Sequence, residues 1–426
     1  MNYLLGVLPA ALLVGCGQAV ATSTASTSGS TAGTSTTSES TSSEASAGPT
    51  STESSSSADT GSTGWTPSDC DASCQLPALE HRWTTTGADV LGPPGDSGRA
   101  LYGASRAPDG SVWLTTFDIQ SQTNVAVVIG PDGSASTPTE AELHIPTGMV
   151  LGSTVFGASE YAALYSGERP IIGGLSMFEA DGQFRCSQET PDLGWNRGVQ
   201  VASQRWALLG RSVTAPSSRA VFFGDPCEAS VQALVPADDV IEVLDFAYLD
   251  EQFVLAGLSA ETSFVRAFDS AGAPTFEWSA EDAALHGVQW AAPSPDGGVA
   301  LTNSLDDGFG GIALVLGDVN LGNPTADVRE FHGLWNAVDP PRVSIDFDTA
   351  DVPWLMFGDH DVRIAPLPPD DTAPCCPTQS EEWLAGGVQG TWAFFAMPDG
   401  MIAVGVTAPE PSAPTEVIVS RFGFTR

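Results

Sequence analysis

The chain has 426 residues, of which 42% are apolar and 16% are charged, and it contains 45 Gly and 31 Pro. This composition can form a globular core but has too much glycine and proline for long helices, which disfavours a helical bundle or a coiled coil. The 15 basic residues are all arginine and are outnumbered by 52 acidic residues. The resulting formal charge of -37 repels phosphate backbones, so nucleic acid is excluded as a favoured partner.

The first predicted element is an export signal. Residues 3–15 form one apolar run of 13 residues, which fits a signal-peptide core and is shorter than the helix of about 20 residues that spans a bilayer. The run ends in Leu13-Val14-Gly15-Cys16, which resembles the lipobox of bacterial lipoproteins. The resemblance implies cleavage before Cys16 and a lipid on its thiol. Gly17 after the cysteine implies the outer membrane or cell surface. An ordinary secretory signal is the alternative, since Met1-Asn2-Tyr3 lacks the usual basic residue.

A segment rich in serine and threonine follows. Residues 22–64 contain 28 Ser or Thr among 43 residues and almost no large apolar side chain, so burial cannot offset the entropy of ordering. We therefore predict a lipoprotein signal peptide over residues 1–15, a disordered, lipid-anchored linker over 16–68 and a folded domain over 69–426. The lipid on Cys16 would be the domain's single attachment to the membrane.

The folded part repeats one pattern seven times: an apolar strand, a tight turn and a second apolar strand. The clearest copies are GASRAPDGSVWLTTF from Gly103, GVQWAAPSPDGGVALTN from Gly287 and TWAFFAMPDGMIAVGV from Thr391, each with an Asp-Gly turn. Weaker copies begin at Gly157, Gly198, Val243 and Val343. The turns recur about every 48 residues, which is the period of four-stranded propeller blades.

A second hairpin completes most of these units, and the last unit is one strand short. LEHRWTTTG from Leu79 resembles the outer strand TFEWSAEDA from Thr275, with Trp83 in the position of Trp278. The N-terminal strand is therefore predicted to complete the last blade and close the ring. The motifs resemble the β-propeller repeats of secreted bacterial proteins. This resemblance implies an all-β, seven-bladed β-propeller of four-stranded antiparallel blades, a fold that hosts many unrelated functions.

Six cysteines remain beside Cys16, and an even number in an exported chain favours disulfides. Cys186 and Cys227 follow the third strands of neighbouring blades and are predicted to pair. The other four flank the ring closure and are predicted to cross-link it, with a pairing that the sequence leaves open: Cys70, Cys74, Cys375 and Cys376. A zinc site of four thiolates is the rival interpretation, but the vicinal pair suits tetrahedral ligation poorly.

No nucleotide-binding loop, zinc-protease motif or nucleophile elbow occurs in the sequence, so no catalytic residues and no cofactor are predicted. Calcium is an alternative at three short runs of oxygen ligands that match no complete binding loop and are interpreted first as surface carboxylates. The three runs are Asp69–Ser73, Asp306-Asp307-Gly308 and Asp346-Phe347-Asp348.

The longer connections emerge opposite the Asp-Gly turns, and we predict that ligands bind on that side. A positive patch there would hold a carboxylate, a sulfate or an acidic glycan. Its candidate residues are Arg99, Arg169, Arg197, Arg211, His286, His332 and Arg342. Arginines paired with the abundant carboxylates are the alternative.

These observations predict an outer-membrane or cell-surface lipoprotein whose propeller, acting as a monomer, binds a protein or glycan ligand and is not an enzyme. Two alternatives stay open. A glycan lyase or hydrolase would need two carboxylates about 5 to 10 Å apart at the mouth of the central channel. A structural envelope component would need no specific ligand.

Overall fold

The computed structural model describes residues 79–425 apart from short gaps, the longest of which are 368–377 and 380–387. The described residues form 28 β-strands in seven four-stranded antiparallel sheets, together with the short helix α1 (Gly87–Leu91). Thr86 caps this helix by accepting the N–H of Asp89. The predicted all-β, seven-bladed propeller is confirmed.

Six blades are continuous in sequence, and their strands run in chain order. Blade 1 contains β2 (Arg99–Arg106), β3 (Val112–Asp118), β4 (Thr123–Ile129) and β5 (Ala135–Ser136). Blade 2 contains β6 (Val150–Phe156), β7 (Glu160–Glu168), β8 (Ile171–Glu179) and β9 (Phe184–Pro191). Blade 3 contains β10 (Leu193–Ala202), β11 (Arg205–Ser212), β12 (Ser218–Gly224) and β13 (Val231–Pro236). Blade 4 contains β14 (Val240–Leu249), β15 (Gln252–Ser259), β16 (Ser263–Phe268) and β17 (Pro274–Ser279). Blade 5 contains β18 (Trp290–Pro293), β19 (Gly298–Asp306), β20 (Ile312–Asn320) and β21 (Ala326–Trp335). Blade 6 contains β22 (Arg342–Phe347), β23 (Pro353–Gly358), β24 (Arg363–Pro366) and β25 (Thr378–Gln379).

The seventh blade joins the two ends of the domain. It contains β26 (Val388–Met397), β27 (Gly400–Thr407) and β28 (Glu416–Phe424), and β1 (Leu79–Thr86) supplies its fourth strand. β1 pairs antiparallel with β28, and Trp83 lies opposite Arg421 on the third strand just as Trp278 lies opposite Val265 in blade 4. The predicted ring closure by the N-terminal strand is confirmed.

The first strand of each blade is the inner one. The first strands of neighbouring blades contact each other all the way round the ring, including β26 with β2. Each sheet therefore buries its two faces against the sheets on either side, as in the apolar cluster of Leu164, Leu175, Trp206 and Phe222 between blades 2 and 3. No blade could bury both faces alone, which is why the repeat needs a closed ring.

The tight turns explain why some repeats are clear in the sequence and others are not. In the clear copies glycine adopts the left-handed conformation, as at Gly110 with a φ of 85° and Gly297 with a φ of 85°. In three of the four weaker copies other residues have a positive φ, including Gln204 at 59° and Asp351 at 63°. A turn with a positive φ therefore occurs without glycine in these copies, which is why the Asp-Gly signal is missing from their sequence.

One disulfide lies within the described residues. Cys186 in β9 is bonded to Cys227 in the turn after β12, with their Cα atoms 5.7 Å apart, so the predicted pairing between blades 2 and 3 is confirmed. The predicted signal peptide and linker lie outside the described residues. So do the remaining cysteines, which are Cys16, Cys70, Cys74, Cys375 and Cys376.

Candidate functional site

The connections between strands divide the propeller into two ends. The turn end holds the connections from first to second and from third to fourth strand. The loop end holds the connections from second to third strand and from one blade to the next, such as residues 119–122 and 137–149. Because the strands alternate in direction, every blade contributes to both ends.

At the turn end, aspartate side chains accept hydrogen bonds from their own turns. Asp109 Oδ1 accepts the N–H of Ser111 at 2.8 Å, and Asp269 Oδ1 accepts those of Ala271 and Ala273 at 2.9 Å each. The same arrangement recurs at Asp132, Asp181, Asp225, Asn320 and Asp348. These side chains shape the turns, as short polar side chains commonly do.

At the loop end, Arg99 is occupied by an internal partner. Its guanidinium donates to Glu416 at 2.7 Å, and the two side chains are 4% and 9% exposed. The pair joins β2 of blade 1 to β28 of blade 7. Arg99 therefore belongs to the contact between the first and last blades.

Arg197 lies inside the ring rather than on its rim. It follows a β-bulge in the inner strand β10, and its Nη2 donates to the carbonyl of Val243 in blade 4 at 2.8 Å. The positive charge of Arg197 also acts on Asp245, which is half-buried in the inner strand β14.

Four charged residues of the inner strands form what we call the inner quartet: Arg106, Arg197, Asp245 and Asp346. Desolvation raises the pKa of Asp245 to about 6, with Arg197 opposing the shift and the charge of Asp346 adding to it. Desolvation also raises the pKa of Asp346, against its hydrogen bond from Ala396 and the charge of Arg106. Two carboxyl groups from blades 4 and 6 thus interact within the ring.

The inner quartet is also tied to the blade framework. Asp346 accepts the N–H of Ala396 in blade 7 at 2.7 Å and that of Phe347 at 2.9 Å, one on each carboxylate oxygen. Arg106 of blade 1 donates to the carbonyl of the same Ala396. These bonds hold three inner strands together.

Arg211 and Arg219 form a second unusual group at the loop end. They lie directly opposite each other in the ladder between β11 and β12, next to the connection 213–217. Arg211 is exposed, whereas Arg219 is half-buried and its Nε has no hydrogen-bond partner. Burial lowers the pKa of Arg219, and the charge of Arg211 lowers it further.

The structure locates the remaining candidates only in part. His286 is exposed in the connection between β17 and β18, with its Nε2 at 3.1 Å from the carbonyl oxygen of Ala280. His332 is in β21 and Arg342 begins β22, but their side chains are outside the described residues, as is all of Arg169. Of the predicted patch, the structure brings Arg197 and Arg211 to one face of blade 3, since both have side chains on the Leu209 side of the sheet.

The oxygen-rich run at residues 346–348 is not a pair of surface carboxylates. Asp346 belongs to the inner quartet, and Asp348 shapes a turn and accepts the indole N–H of Trp354 at 2.9 Å. The other two runs, Asp69–Ser73 and Asp306-Asp307-Gly308, lie wholly or in their side chains outside the described residues. Within the described part, no group of three or more His, Cys, Asp or Glu side chains could hold a metal ion.

A shallow groove lies between the outer strands of blades 7 and 1. Its volume is about 480 Å³, and its polar lining comes mainly from hydroxyl groups. Asp89 contributes the carboxylate, which accepts hydrogen bonds from the backbone and hydroxyl of Thr86 at 2.8 Å each. Asp89 is the one charged side chain among the groove's described lining residues.

Sequence reasoning missed three of these residues, Arg106, Arg219 and Asp245. Arg219 had a usable signal, because Arg211 and Arg219 are nearly equidistant from the middle of a short connection and a hairpin places such residues opposite each other. Arg106 and Asp245 had none, because only the closed ring brings inner strands of different blades together.

The comparisons with known proteins add no function. No family model matches the chain, and no curated protein matches it. Among solved structures, the Dos1 propeller aligns at a TM-score of 0.46 and 11% identity over 76% of this chain and 78% of that one. A puromycin-hydrolyzing peptidase from Mycobacterium tuberculosis (TM-score 0.44, 11% identity, 82% and 55%) and a prolyl endopeptidase (0.44, 11%, 75% and 46%) also align. The chain spans about half the length of these two peptidases.

Among the described residues, no helix is long and apolar enough to cross a membrane.

Proposed function

We propose that this chain is an exported lipoprotein of the outer membrane or cell surface whose propeller binds a ligand at its loop end. The sequence Leu13-Val14-Gly15-Cys16 supports the lipid anchor. Residues 17–64 support a flexible linker with a typical reach of about 35 to 42 Å, which would hold the domain clear of the lipid. The proposal treats the domain as a binding module and not as an enzyme.

An exposed arginine without a described carboxylate partner at the loop end is the observation that carries this proposal. Carboxylates that accept hydrogen bonds from their own connections occur at both ends, as at Asp109 of the turn end and Asp118 of the loop end, so they do not distinguish the two ends. The loop end has longer connections and an exposed arginine, Arg211, beside the half-buried Arg219. Recognition needs side chains that are not already used within the fold, and this supports the loop end as the ligand side.

A site-specific blocking experiment tests this assignment. p-Azidophenylalanine replaces exposed Gln120 at the loop end or exposed Ser270 at the turn end, and each is coupled to polyethylene glycol. Binding of the full chain is then measured on a panel of acidic and neutral glycans and envelope proteins. We expect the polymer at position 120 to abolish binding and the polymer at 270 to leave it unchanged. The reverse result, or binding to nothing on the panel, would contradict the proposal.

The anchor has a separate test. In a bacterial host, wild-type protein should incorporate a labelled fatty acid and fractionate with membranes, whereas Cys16→Ser should lose both properties. Retention of the Cys16→Ser protein in the membrane fraction would show that another feature anchors it.

A glycan-cleaving enzyme is the second candidate, and the inner quartet favours it. Asp245 has a pKa of about 6 and interacts with Asp346, and paired carboxyl groups with separated pKa values are typical of glycoside hydrolysis. The backbone hydrogen bonds to both oxygens of Asp346 argue against it. Release of reducing ends from polysaccharides by wild type, lost in Asp245→Asn and in Asp346→Asn, would establish the enzyme and displace the binding module.

A further inference from the structure

The cross-strand pair Arg211 and Arg219 places two like charges where a sheet normally avoids them. Side chains directly opposite each other on neighbouring strands project from the same face and lie close together. Like charges in such positions destabilise the pairing. Here the cost is increased because Arg219 is half-buried and its Nε donates to nothing.

No described carboxylate neutralises this pair. The described residues include no ion pair or hydrogen-bond partner for the guanidinium group of either arginine. The connection at residues 213–217 reads Val-Thr-Ala-Pro-Ser and holds no acid. In the next connection, Asp239 directs both carboxylate oxygens to Arg266, each at 2.7 Å.

Several other described arginines contact carboxylates directly. Arg185 contacts three carboxylates, those of Glu160, Glu179 and Asp225. With 52 acidic residues for 15 arginines, the chain has ample carboxylates to neutralise every arginine. The pair in blade 3 therefore differs from Arg99, Arg185 and Arg266, each of which contacts a carboxylate directly.

Arginine side chains in proteins stay protonated. Burial and the charge of Arg211 therefore lower the pKa of Arg219 without removing its positive charge. An oxyanion between the two guanidinium groups would relieve both costs at once. Planar guanidinium groups bind carboxylate and sulfate oxygens with paired, charge-assisted hydrogen bonds. Exposed Arg211 leaves the approach to such a ligand open.

We propose that Arg211 and Arg219 bind the sulfate or carboxylate group of a glycan that is otherwise uncharged. This inference rests on the proposed function, because it assigns a ligand class to the loop end. The formal charge of -37 argues for a ligand with few charges, since it repels polyanions such as nucleic acid and anionic bilayers. An isolated oxyanion can approach one local positive site that a polyanion could not reach without wider repulsion.

A stability measurement tests the anion site first. Thermal unfolding of the full chain is followed in millimolar sodium sulfate and in sodium chloride of equal ionic strength. We expect sulfate to raise the melting temperature of wild type beyond the chloride value, because a ligand that binds only the folded state stabilises it. Arg211→Gln and Arg219→Gln should lose this extra rise. The control Arg82→Gln, at an exposed ion pair of the turn end, should keep it.

The same variants separate a ligand role from a structural role. In chloride at low ionic strength, Arg211→Gln should melt at the same temperature as wild type or higher, because it removes repulsion. Arg211 is exposed, so this variant does not depend on refilling a buried site. A sulfate response in Arg211→Gln equal to that of Arg82→Gln would overturn the proposal, as would a lower melting temperature in chloride.

Direct binding then tests the source of the oxyanion. Oligosaccharides bearing one sulfate or one uronic acid should bind wild type at least about tenfold more tightly than their neutral parents, and Arg211→Gln should remove the difference. Arginine-dependent binding to phosphatidylglycerol vesicles but to no oligosaccharide would overturn the glycan assignment, as would a response to sulfate alone. If both arginine variants bind charged glycans normally while polymer at position 120 still blocks them, this inference fails and the proposed function stands.

Discussion

The contact between blades 2 and 3 and the contact between blades 7 and 1 are built from different chemistry. Blades 2 and 3 are joined covalently by Cys186 and Cys227, next to Arg185 and its three carboxylates. In the described residues, blades 7 and 1 share an apolar cluster, as blades 2 and 3 do, and they are joined in addition by the buried pair Arg99 and Glu416 and by contacts around β1. We call these the covalent seam and the closing seam.

The two seams also differ in how much chain they connect. The disulfide spans 41 residues, whereas Arg99 and Glu416 are 317 residues apart. A contact between residues so far apart carries a larger loop-closure entropy cost until the intervening blades have folded, so we expect the closing seam to form late. Contacts between blades that are close in sequence can therefore form early in folding, whereas the closing seam depends on its own electrostatics and packing.

The largest expected effect is at the closing seam, in Arg99→Met. This change leaves the carboxylate of Glu416 buried without its partner, which should lower the free energy of unfolding by about 3 to 5 kcal/mol at pH 7. Burial already raises the pKa of Glu416, while the N–H of Val417 and Arg99 oppose the shift. Without Arg99 the pKa rises further. Stability is lost as pH rises through that pKa, so acidification towards pH 5 should restore part of it.

Urea unfolding at pH 7 and pH 5 measures this prediction. The double variant Arg99→Met with Glu416→Met should be more stable than Arg99→Met alone, because it removes the unpaired charge. A loss below about 1 kcal/mol, or a loss independent of pH, would mean that the pair does not control the closing seam.

The next effect is at the covalent seam. The double variant Cys186→Ser with Cys227→Ser should lower the free energy of unfolding by about 2 to 4 kcal/mol, because the unfolded chain regains the freedom that a 41-residue loop had lost. Reduction of wild type should lower its stability similarly, and the double variant should not respond to the reductant at this seam. If the oxidised wild type were no more stable than the double variant, the disulfide would add no stability, and the covalent seam would not differ from the closing seam in this respect.

A smaller effect is expected from Trp83→Phe at the closing seam. The indole N–H of Trp83 donates to the carbonyl of Pro131 in blade 1 at 3.1 Å, so its loss should cost about 0.5 to 1.5 kcal/mol. Trp278→Phe is the matched control, since Trp278 holds the same strand position in blade 4. Equal losses in the two variants would indicate that general packing, and not the bond across the seam, is responsible.

The smallest effect should come from Arg82→Gln. Arg82 and Asp399 are 47% and 58% exposed with their charged atoms 3.5 Å apart, and such surface pairs contribute at most about 1 kcal/mol. Added salt should leave the difference from wild type below that level. A loss as large as that of Arg99→Met would remove the distinction between buried and exposed pairs at this seam.

The architecture was predictable because its signals are local and repeated. Each apolar strand, tight turn and second apolar strand predicts a hairpin, and seven such hairpins at a regular spacing, three of them with an Asp-Gly turn, predict a ring. Trp83 indicated the closing strand because the same residue type recurs at Trp278. The pairing of Cys186 with Cys227 followed from assigning them to neighbouring blades.

The site chemistry was predictable only in part, because it depends on which side chains the ring brings together. Arg99 and Arg197 were expected to meet a ligand, but a buried carboxylate occupies one and a backbone carbonyl of the next blade accepts from the other. In addition to desolvation, the charge of Asp346 in blade 6 raises the pKa of Asp245 in blade 4, and no spacing in the sequence indicates that these two residues act on each other.

The position of β1 has a consequence for biosynthesis. The strand that completes the final blade is translated first, and its partner β28 ends at Phe424. β1 therefore has no pairing partner until almost the whole polypeptide has been synthesised. β28 then pairs with β27 along one edge and with β1 along the other. A chain truncated before residue 416 would lack β28 and leave the domain with an open rim, exposed to proteases and to pairing with other chains.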